Sequence, residues 1–313
     1  QSDGETLLKY ERESWSGGGG SSVTADFWVK VPSVSAVAGT DIYVYWGKSG
    51  AADGEDAANG WDDDYISVWH LDESGNGSSN EFVDSLGSFH GTGGGGDSGE
   101  TPTRVDGKID KGQDCGTRAQ KKWIDVGDLT TPDHLSFSAW LKWDGVTSSP
   151  GDCYHKILVK GSNYNSGEWA LFFIAQSTQT VRVYLNNGLR VGHSLSFGTN
   201  WRHVTFTYDR SYPRLYLDGV LVATGSAYSA AIANTSYSGQ FGGSTGGYYH
   251  WGGLMDEIRF SSVARSAAWI KFEHANIAEA DHELTWGEQE TASGGAVEGP
   301  YRAAAGDLFL TGA

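Results

Sequence analysis

The sequence predicts an all-β protein whose strands form an antiparallel β-sandwich, and three observations support this fold class. Glycine contributes 45 of 313 residues and tryptophan 13, whereas proline contributes only 6. Glycines between aromatic and β-branched runs suit many short strands joined by tight turns. In Leu135–Leu141, apolar residues alternate with small polar ones, which is typical of a half-buried strand. Asp218-Gly219 separates two further apolar runs and indicates a hairpin turn, because both of its central residues need positive φ.

These patterns divide the chain into four predicted segments. Aromatic and β-branched runs at 27–31 and 42–46 predict strands, and the acidic stretch that follows predicts a linker or surface loop. Strands and turns then alternate to about residue 260, and only 264–278 has a helical pattern. The predicted segments are a partial β domain with its linker at 1–64, a jelly roll at 65–278, a returning strand at 279–290 and a Gly/Ala-rich tail at 291–313.

The charge balance excludes two classes of partner. The chain has 22 basic and 39 acidic residues, for a formal net charge of −17. This charge repels phosphate backbones and anionic lipids, so we expect no nucleic-acid partner. No apolar run is long enough to span a bilayer, so we expect no membrane insertion. The two cysteines, Cys115 and Cys153, are compatible with one disulfide or with two free thiols.

Several motifs resemble a laminin-G-like jelly roll of the concanavalin A-like type across about residues 66–275. The resemblance rests on the order and spacing of seven stretches: Val68–Glu73, Asp84–Thr92, Leu135–Trp143, Asn200–Tyr208, Leu215–Gly219, Gly252–Phe260 and Ala264–Ser266. It implies two facing antiparallel sheets.

The segment before it resembles an uncharacterised β domain that often precedes laminin-G-like modules in secreted bacterial, archaeal and phage proteins. The matching stretches are Asp3-Gly4, Trp28–Pro32, Tyr43–Gly47 and Asp53–Asp56. In that family Asp3-Gly4 lies well inside the domain, so we expect its first strands to be missing here. Leu284–Gln289 resembles the strand that returns to this domain, which would make the jelly roll an insertion. The resemblance implies an extracellular, cell-surface or virion-surface location.

The resemblance also implies a structural calcium ion. Asp256 matches the acidic position that ligates calcium in many relatives, and Asp84 is the expected partner. Asp72 and Glu73 are further candidates. Calcium needs six to eight oxygen ligands, including carboxylates and loop carbonyls. The alternative is that these acids only cap turns or pair with arginines such as Arg259.

Sugar binding needs an aromatic ring for the pyranose face and polar groups for the hydroxyls. The candidate ligand-binding residues are Tyr248, Tyr249 and Trp251 in a glycine-rich loop, and Tyr164 and Trp169 in a second one. The alternative is that such rings are buried, as we expect for three other tryptophans, Trp69, Trp140 and Trp201.

One motif has glycosidase-like spacing. Glu279, Asp281 and Glu283 alternate as the acid–base and nucleophile residues of glycosidases on this fold do. The motif follows the last predicted strand of the jelly roll, outside any concave cleft, and we interpret it as a coincidence. The histidines and cysteines show no zinc-type clustering.

The sequence therefore predicts a non-catalytic carbohydrate-binding or adhesion module in a larger surface assembly, with a glycan or another protein chain as partner. One alternative is a structural subunit of a filament, lattice or virion, which self-assembles or takes its missing N-terminal strands from a complementing fragment. In that alternative the apolar tail Leu308–Leu310 adds a strand to a partner. A second alternative is a β-glucan glycosidase.

Overall fold

The computed structural model describes residues 6–17, 24–33, 40–46, 50–147, 154–163, 166–174, 178–244, 249–278, 285–286, 290–291, 297–303 and 307–312. The chain forms two compact units: one consists of 1–63 with 271–313, and the other of 64–270. The sequence placed the ends of the jelly roll at 65 and 278. Within these residues the fold is all-β with one short α-helix, as predicted.

The first unit begins with three strands, β1 (Tyr10–Ser16), β2 (Thr24–Lys30) and β3 (Thr40–Trp46). Its core includes Trp28 and Trp61, whose ring centroids are 5.1 Å apart. The two indole N–H groups donate to the buried carboxylates of Glu13, at 2.7 Å, and Glu11, at 2.5 Å. Both acids can lie on the inner face of β1 because each accepts a hydrogen bond from an indole N–H there.

The second unit is the jelly roll, and its strands form two sheets. They are β4 (Tyr65–Trp69), β5 (Thr92–Gly93), β6 (Thr103–Asp106), β7 (Lys111–Asp114), β8 (Ile124–Asp125), β9 (Leu135–Trp143), β10 (Tyr154–Asn163), β11 (Ser166–Ile174), β12 (Gln179–Leu185), β13 (Gly188–Leu195), β14 (Arg202–Tyr208), β15 (Arg214–Leu217), β16 (Val220–Thr224), β17 (Gly239–Phe241) and β18 (Gly253–Ser261).

A seven-stranded sheet has the order β13-β12-β11-β10-β17-β8-β5, and an eight-stranded sheet has the order β16-β15-β14-β9-β18-β7-β6 with β4 also paired to β18. The core lies between them, where the rings of Phe137 and Phe260 stack at 4.1 Å. Trp69 and Trp140 are buried as predicted, whereas Trp201 is partly exposed, contrary to the prediction.

The hairpin predicted at Asp218-Gly219 is confirmed. The turn joins β15 to β16, and its residues have φ of 49° and 75°. Both values are positive, as this type of turn requires. Local turn chemistry therefore determined this connection.

The chain ends with α1 (Ala267–Ala278) and four strands of the first unit, β19 (Thr285–Trp286), β20 (Glu290–Thr291), β21 (Val297–Ala303) and β22 (Asp307–Gly312). Strand β21 pairs with β3, β19 and β20. Strand β22 pairs with β2, so Leu308–Leu310 lies opposite Phe27–Val29. Its own chain therefore supplies one pairing strand for this apolar tail, and β22 lies at the edge of the sheet β1-β2-β22. That the tail adds a strand to a partner chain stays a prediction.

The outer edge of β1 is covered by the acidic segment that the sequence assigned to a linker. Asp56 N donates to Tyr10 O at 2.9 Å, and Arg12 N donates to Glu55 Oε1 at 3.2 Å. The Arg12 side chain also pairs with Asp53 and Glu55. Because edge groups satisfied in this way offer no template for a further strand, the described part of this edge does not support strand donation by another chain.

Candidate functional site

Two of the predicted sugar-binding rings lie in the core of the jelly roll. Trp251 is completely buried and meets Phe173 edge-on at 5.7 Å between ring centroids. Trp169 is 2% exposed and lies 4.2 Å from the ring of Phe137. Neither ring offers a face to solvent, so the prediction that they form a sugar platform is wrong. Tyr248 and Tyr164 lie outside the described residues.

Tyr249 is the predicted aromatic residue that the structure leaves partly exposed. Its ring meets that of Tyr154 edge-on, with centroids 5.8 Å apart, and the Arg118 guanidinium lies 5.7 Å from its centroid. The backbone of Tyr249 has φ of 84°, in the region that costs a non-glycine residue about 1–2 kcal/mol. Strain of this kind is often found at functional sites.

The register of the seven-stranded sheet shows which residues surround this ring. Leu171 and Val183 are paired and face the core, so the neighbouring pair Ala170 and Tyr184 faces outward. A bulge between Lys156 and Leu158 shifts the alternation along β10. As a result, Leu158 faces the core while Lys156 faces outward with Tyr154.

Lys156 is 3% exposed, and its Nζ donates to Ser244 Oγ at 2.5 Å. Its backbone N–H donates to Tyr249 O at 2.6 Å. Burial lowers the pKa of the Lys156 ammonium. Within the described parts of the chain, Lys156 has no carboxylate partner.

We define the outer-face cluster as Arg118, Tyr154, Lys156, Ser244 and Tyr249. It combines two partly exposed tyrosine rings and the Arg118 guanidinium with the buried ammonium of Lys156 and hydroxyl of Ser244, and groups of these kinds contact sugar rings and hydroxyls. None of its members is a carboxylate, so it lacks the acid pair that glycoside hydrolysis requires. Lys156 and Ser244 could not be predicted from the sequence, because a bulge and a distant loop bring them together.

The two acids expected to bind calcium have different ligands here. Asp84 is buried, and its two oxygens accept hydrogen bonds from the backbone N–H groups of Val68, Leu86, Ser88 and Phe89. Four donors occupy all the lone-pair sites that a carboxylate offers. Calcium is bound by oxygens, and a calcium ion at Asp84 would compete with these four backbone donors for the same two oxygens.

Asp256 is likewise buried and accepts from backbone N–H groups, those of Lys108, Ile109 and Glu257. It therefore matches the turn-capping alternative better than a calcium shell. Arg259 pairs with Glu257. Calcium ligation by Asp256 and Asp84 stays a prediction.

Asp72 and Glu73, the other metal candidates, are partly buried neighbours. Burial raises the pKa of Asp72, and burial raises the pKa of Glu73 to about 7. Glu73 Oε1 accepts from Val83 N at 2.5 Å, whereas Oε2 is buried with no partner among the described residues. A protonated carboxyl fits this environment, and metal ligation by Asp72 stays a prediction.

Cys115 is a free cysteine in the core, and burial raises the pKa of its thiol. Cys153 lies outside the described residues. The structure therefore matches the free-thiol alternative for Cys115. Glu279, Asp281 and Glu283, which have glycosidase-like spacing, also lie outside the described residues. Within the part of the chain that is described, no helix is long and apolar enough to cross a membrane.

Comparison with known families matches two segments of the chain. Residues 116–271 match the family described as "Concanavalin A-like lectin/glucanases superfamily", and residues 1–76 match "Domain of unknown function (DUF2341)". A comparison with the curated proteins finds no significant match.

Several solved structures share the fold. The binding domain of Paraclostridial Mosquitocidal Protein 1 is 12% identical with a TM-score of 0.52, and covers 70% of this chain and 53% of its own. The binding domain of botulinum neurotoxin DC, in complex with SialylT, is 13% identical with a TM-score of 0.50 and the same coverage. The chain therefore spans about half the length of these two domains.

Domain 4 of AbnA, a GH43 extracellular arabinanase from Geobacillus stearothermophilus in complex with arabinotriose, is 18% identical with a TM-score of 0.48. The match covers 65% of this chain and 97% of that domain. The two family matches and the two facing sheets agree with the sequence motifs. The chain therefore contains a jelly-roll domain of the concanavalin A-like superfamily, preceded by a segment that matches a domain of unknown function.

Proposed function

We propose that the jelly roll is a non-catalytic carbohydrate-binding domain, that it acts outside the cell in a surface assembly, and that its ligand contacts the outer-face cluster. The observation that carries this proposal is the partly exposed Tyr249 ring, held beside Tyr154 and Arg118 in a strained backbone conformation. Aromatic rings with adjacent hydrogen-bonding groups are suited to pyranose recognition. A binding domain of this fold in complex with SialylT supports the proposal.

The outward face of the sheet offers a further aromatic ring. Tyr184 adds a third partly exposed ring on the same face.

The experiment is a glycan array probed with the full chain, followed by titration of the best ligand. We expect binding that Tyr249→Ala and Tyr154→Ala each weaken by about tenfold or more, which corresponds to about 1.4 kcal/mol. Tyr237→Ala is the matched control, because Tyr237 is 43% exposed and lies outside the cluster. A chain that binds no glycan, or a Tyr249→Ala variant that binds as well as the parent, would refute the proposal.

The proposal that the domain is non-catalytic has a separate test. Incubation of the full chain with mixed β-glucans should release no reducing sugar. Turnover that Glu279→Gln abolishes would instead establish the glycosidase alternative.

A further inference from the structure

The outward face of the seven-stranded sheet concentrates positive charge in a strongly acidic chain. The formal net charge is −17, yet Arg118 and Lys156 belong to the cluster and Arg182 faces outward on β12. Lys156 and Arg182 are both paired with the same position of β11. Their Cα atoms are thus two strands apart, about 10 Å.

A buried ammonium normally lies beside an opposite charge, and Lys156 has none among the described residues. Its described hydrogen-bond partner is the uncharged hydroxyl of Ser244. Burying a charge without an opposite charge is costly, so an anion beside Lys156 would stabilise its charged form. Because Ser244 Oγ accepts from Lys156, the hydroxyl proton is left to donate to another acceptor.

Arg182 is partly exposed and makes no hydrogen bond or ion pair within the described ranges of the chain. Gly192 lies opposite it on the edge strand, and a Cβ there would be 3.3 Å from Arg182 Cγ. Glycine at this position leaves room for the arginine stem to lie across the sheet. The guanidinium, with its planar set of donors, is suited to carboxylate and sulfate oxygens.

In the described strands of this face, the carboxylate lies away from Lys156 and Arg182. Asp125 faces outward on β8, beyond β17, and its Oδ1 accepts from Gly127 N at 2.8 Å. Among the described residues, Asp125 is the carboxylate that the register places on this face.

We propose that the carbohydrate bound at the outer-face cluster is acidic, with a carboxylate or sulfate group that is held by Ser244 and the charges of Lys156 and Arg182. This inference rests on the proposed function, since it names the class of sugar bound at the same site. Neutral sugars would leave the Lys156 charge without an opposite charge.

The test is calorimetric titration of the full chain with matched acidic and neutral saccharides. The carboxylate probes are oligogalacturonate and sialyllactose, with carboxyl-reduced oligogalacturonate and lactose as their neutral partners. The sulfate probe is a heparin-derived oligosaccharide, with its desulfated form as partner. We expect about tenfold to 100-fold tighter binding of at least one acidic probe than of its partner, as charge-assisted hydrogen bonds predict.

Lys156→Met and Arg182→Gln should each remove most of this preference. Met keeps the length of the buried stem without the charge, so this variant should fold. Lys111→Gln is the control, because Lys111 pairs with the 91% exposed Asp106 on the other sheet. The preference should also shrink as salt rises.

Equal binding of acidic and neutral partners would overturn the acidic-sugar inference and leave the proposed function intact. No binding of any probe, together with an empty glycan array, would overturn both. An acidic preference that survives in both Lys156→Met and Arg182→Gln would overturn the assignment to this face.

Discussion

Lys160 Nζ lies 3.1 Å from Glu168 Oε1, and both side chains are fully buried. Glu168 also accepts from Thr131 Oγ1 and from Thr235 Oγ1, and Lys160 reaches the exposed Asp128 at 2.9 Å. This network attaches two loops to neighbouring strands of the seven-stranded sheet. Its partners are satisfied within the chain, which distinguishes Lys160 from Lys156.

Lys160→Met should destabilise the jelly roll by about 3 kcal/mol, because it leaves the Glu168 carboxylate buried without its cation. The double variant Lys160→Met/Glu168→Gln should recover part of this loss. Urea unfolding followed by tryptophan fluorescence measures both. Lys111→Met is the control and should cost less than about 1 kcal/mol, since its pair with Asp106 is exposed. A Lys160→Met variant as stable as the parent would contradict the structural role of this pair.

Glu73 should make the protein less stable as pH rises. Burial raises the pKa of Glu73 from 4.5 to about 7, so the folded state binds more protons than the unfolded state between these values. Its contribution to the free energy of unfolding is therefore fully present below about pH 4.5 and declines as pH rises through 7.

Glu73→Gln should thus be more stable than the parent at pH 8 by about 2 kcal/mol, after allowance for partial exposure, with a much smaller difference at pH 5. Urea unfolding at the two pH values gives the comparison. Asp133→Asn, at a 59% exposed carboxylate, should show no such pH dependence. A constant difference between Glu73→Gln and the parent across this range would exclude the raised pKa.

Glu257, in contrast to Glu73, should make the protein less stable as pH falls. Burial favours its neutral form, but His70 Nδ1 at 2.6 Å and Arg259 Nη2 at 2.5 Å outweigh burial and hold the pKa of Glu257 below its usual value. The stability that it contributes is present above about pH 4.5 and is lost as pH falls through the folded-state pKa. Glu257→Gln should lower stability at pH 7 and flatten the acid limb of the stability curve. An unchanged acid limb would show that other carboxylates determine it.

The strands and the Asp218-Gly219 hairpin could be predicted because both depend on local sequence. The face on which a ring lies could not, since the neighbours of Trp251 are Phe173 and Phe197, far away along the chain. Likewise, simple alternation would put Lys156 on the same face as Leu158. The bulge between them reverses that outcome, and no residue type in the sequence marks it.

Asp84 provides a test of calcium against loop organisation. Asp84→Asn replaces one oxygen with an NH₂ group, which cannot accept from the backbone donors that the carboxylate now satisfies. We expect a loss of about 3 kcal/mol, because buried N–H groups lose their acceptors. Thermal unfolding should be insensitive to calcium or to a chelator in the parent chain. A rise in Tm with calcium that Asp84→Asn abolishes would instead support the calcium assignment.

The strain at Tyr249 can be separated from the contacts of its ring. Tyr249→Ala and Tyr249→Gly both remove the ring, so both should lose glycan binding to the same extent. They differ at the backbone, because φ of 84° is unfavourable for alanine and readily adopted by glycine. The glycine variant should therefore be the more stable of the two by about 1 kcal/mol, the reverse of their usual order within regular structure. Chemical denaturation of both variants measures the difference. If alanine is equally stable, the backbone at 249 relaxes without cost, and the strain is no argument for selection of a ring at this position.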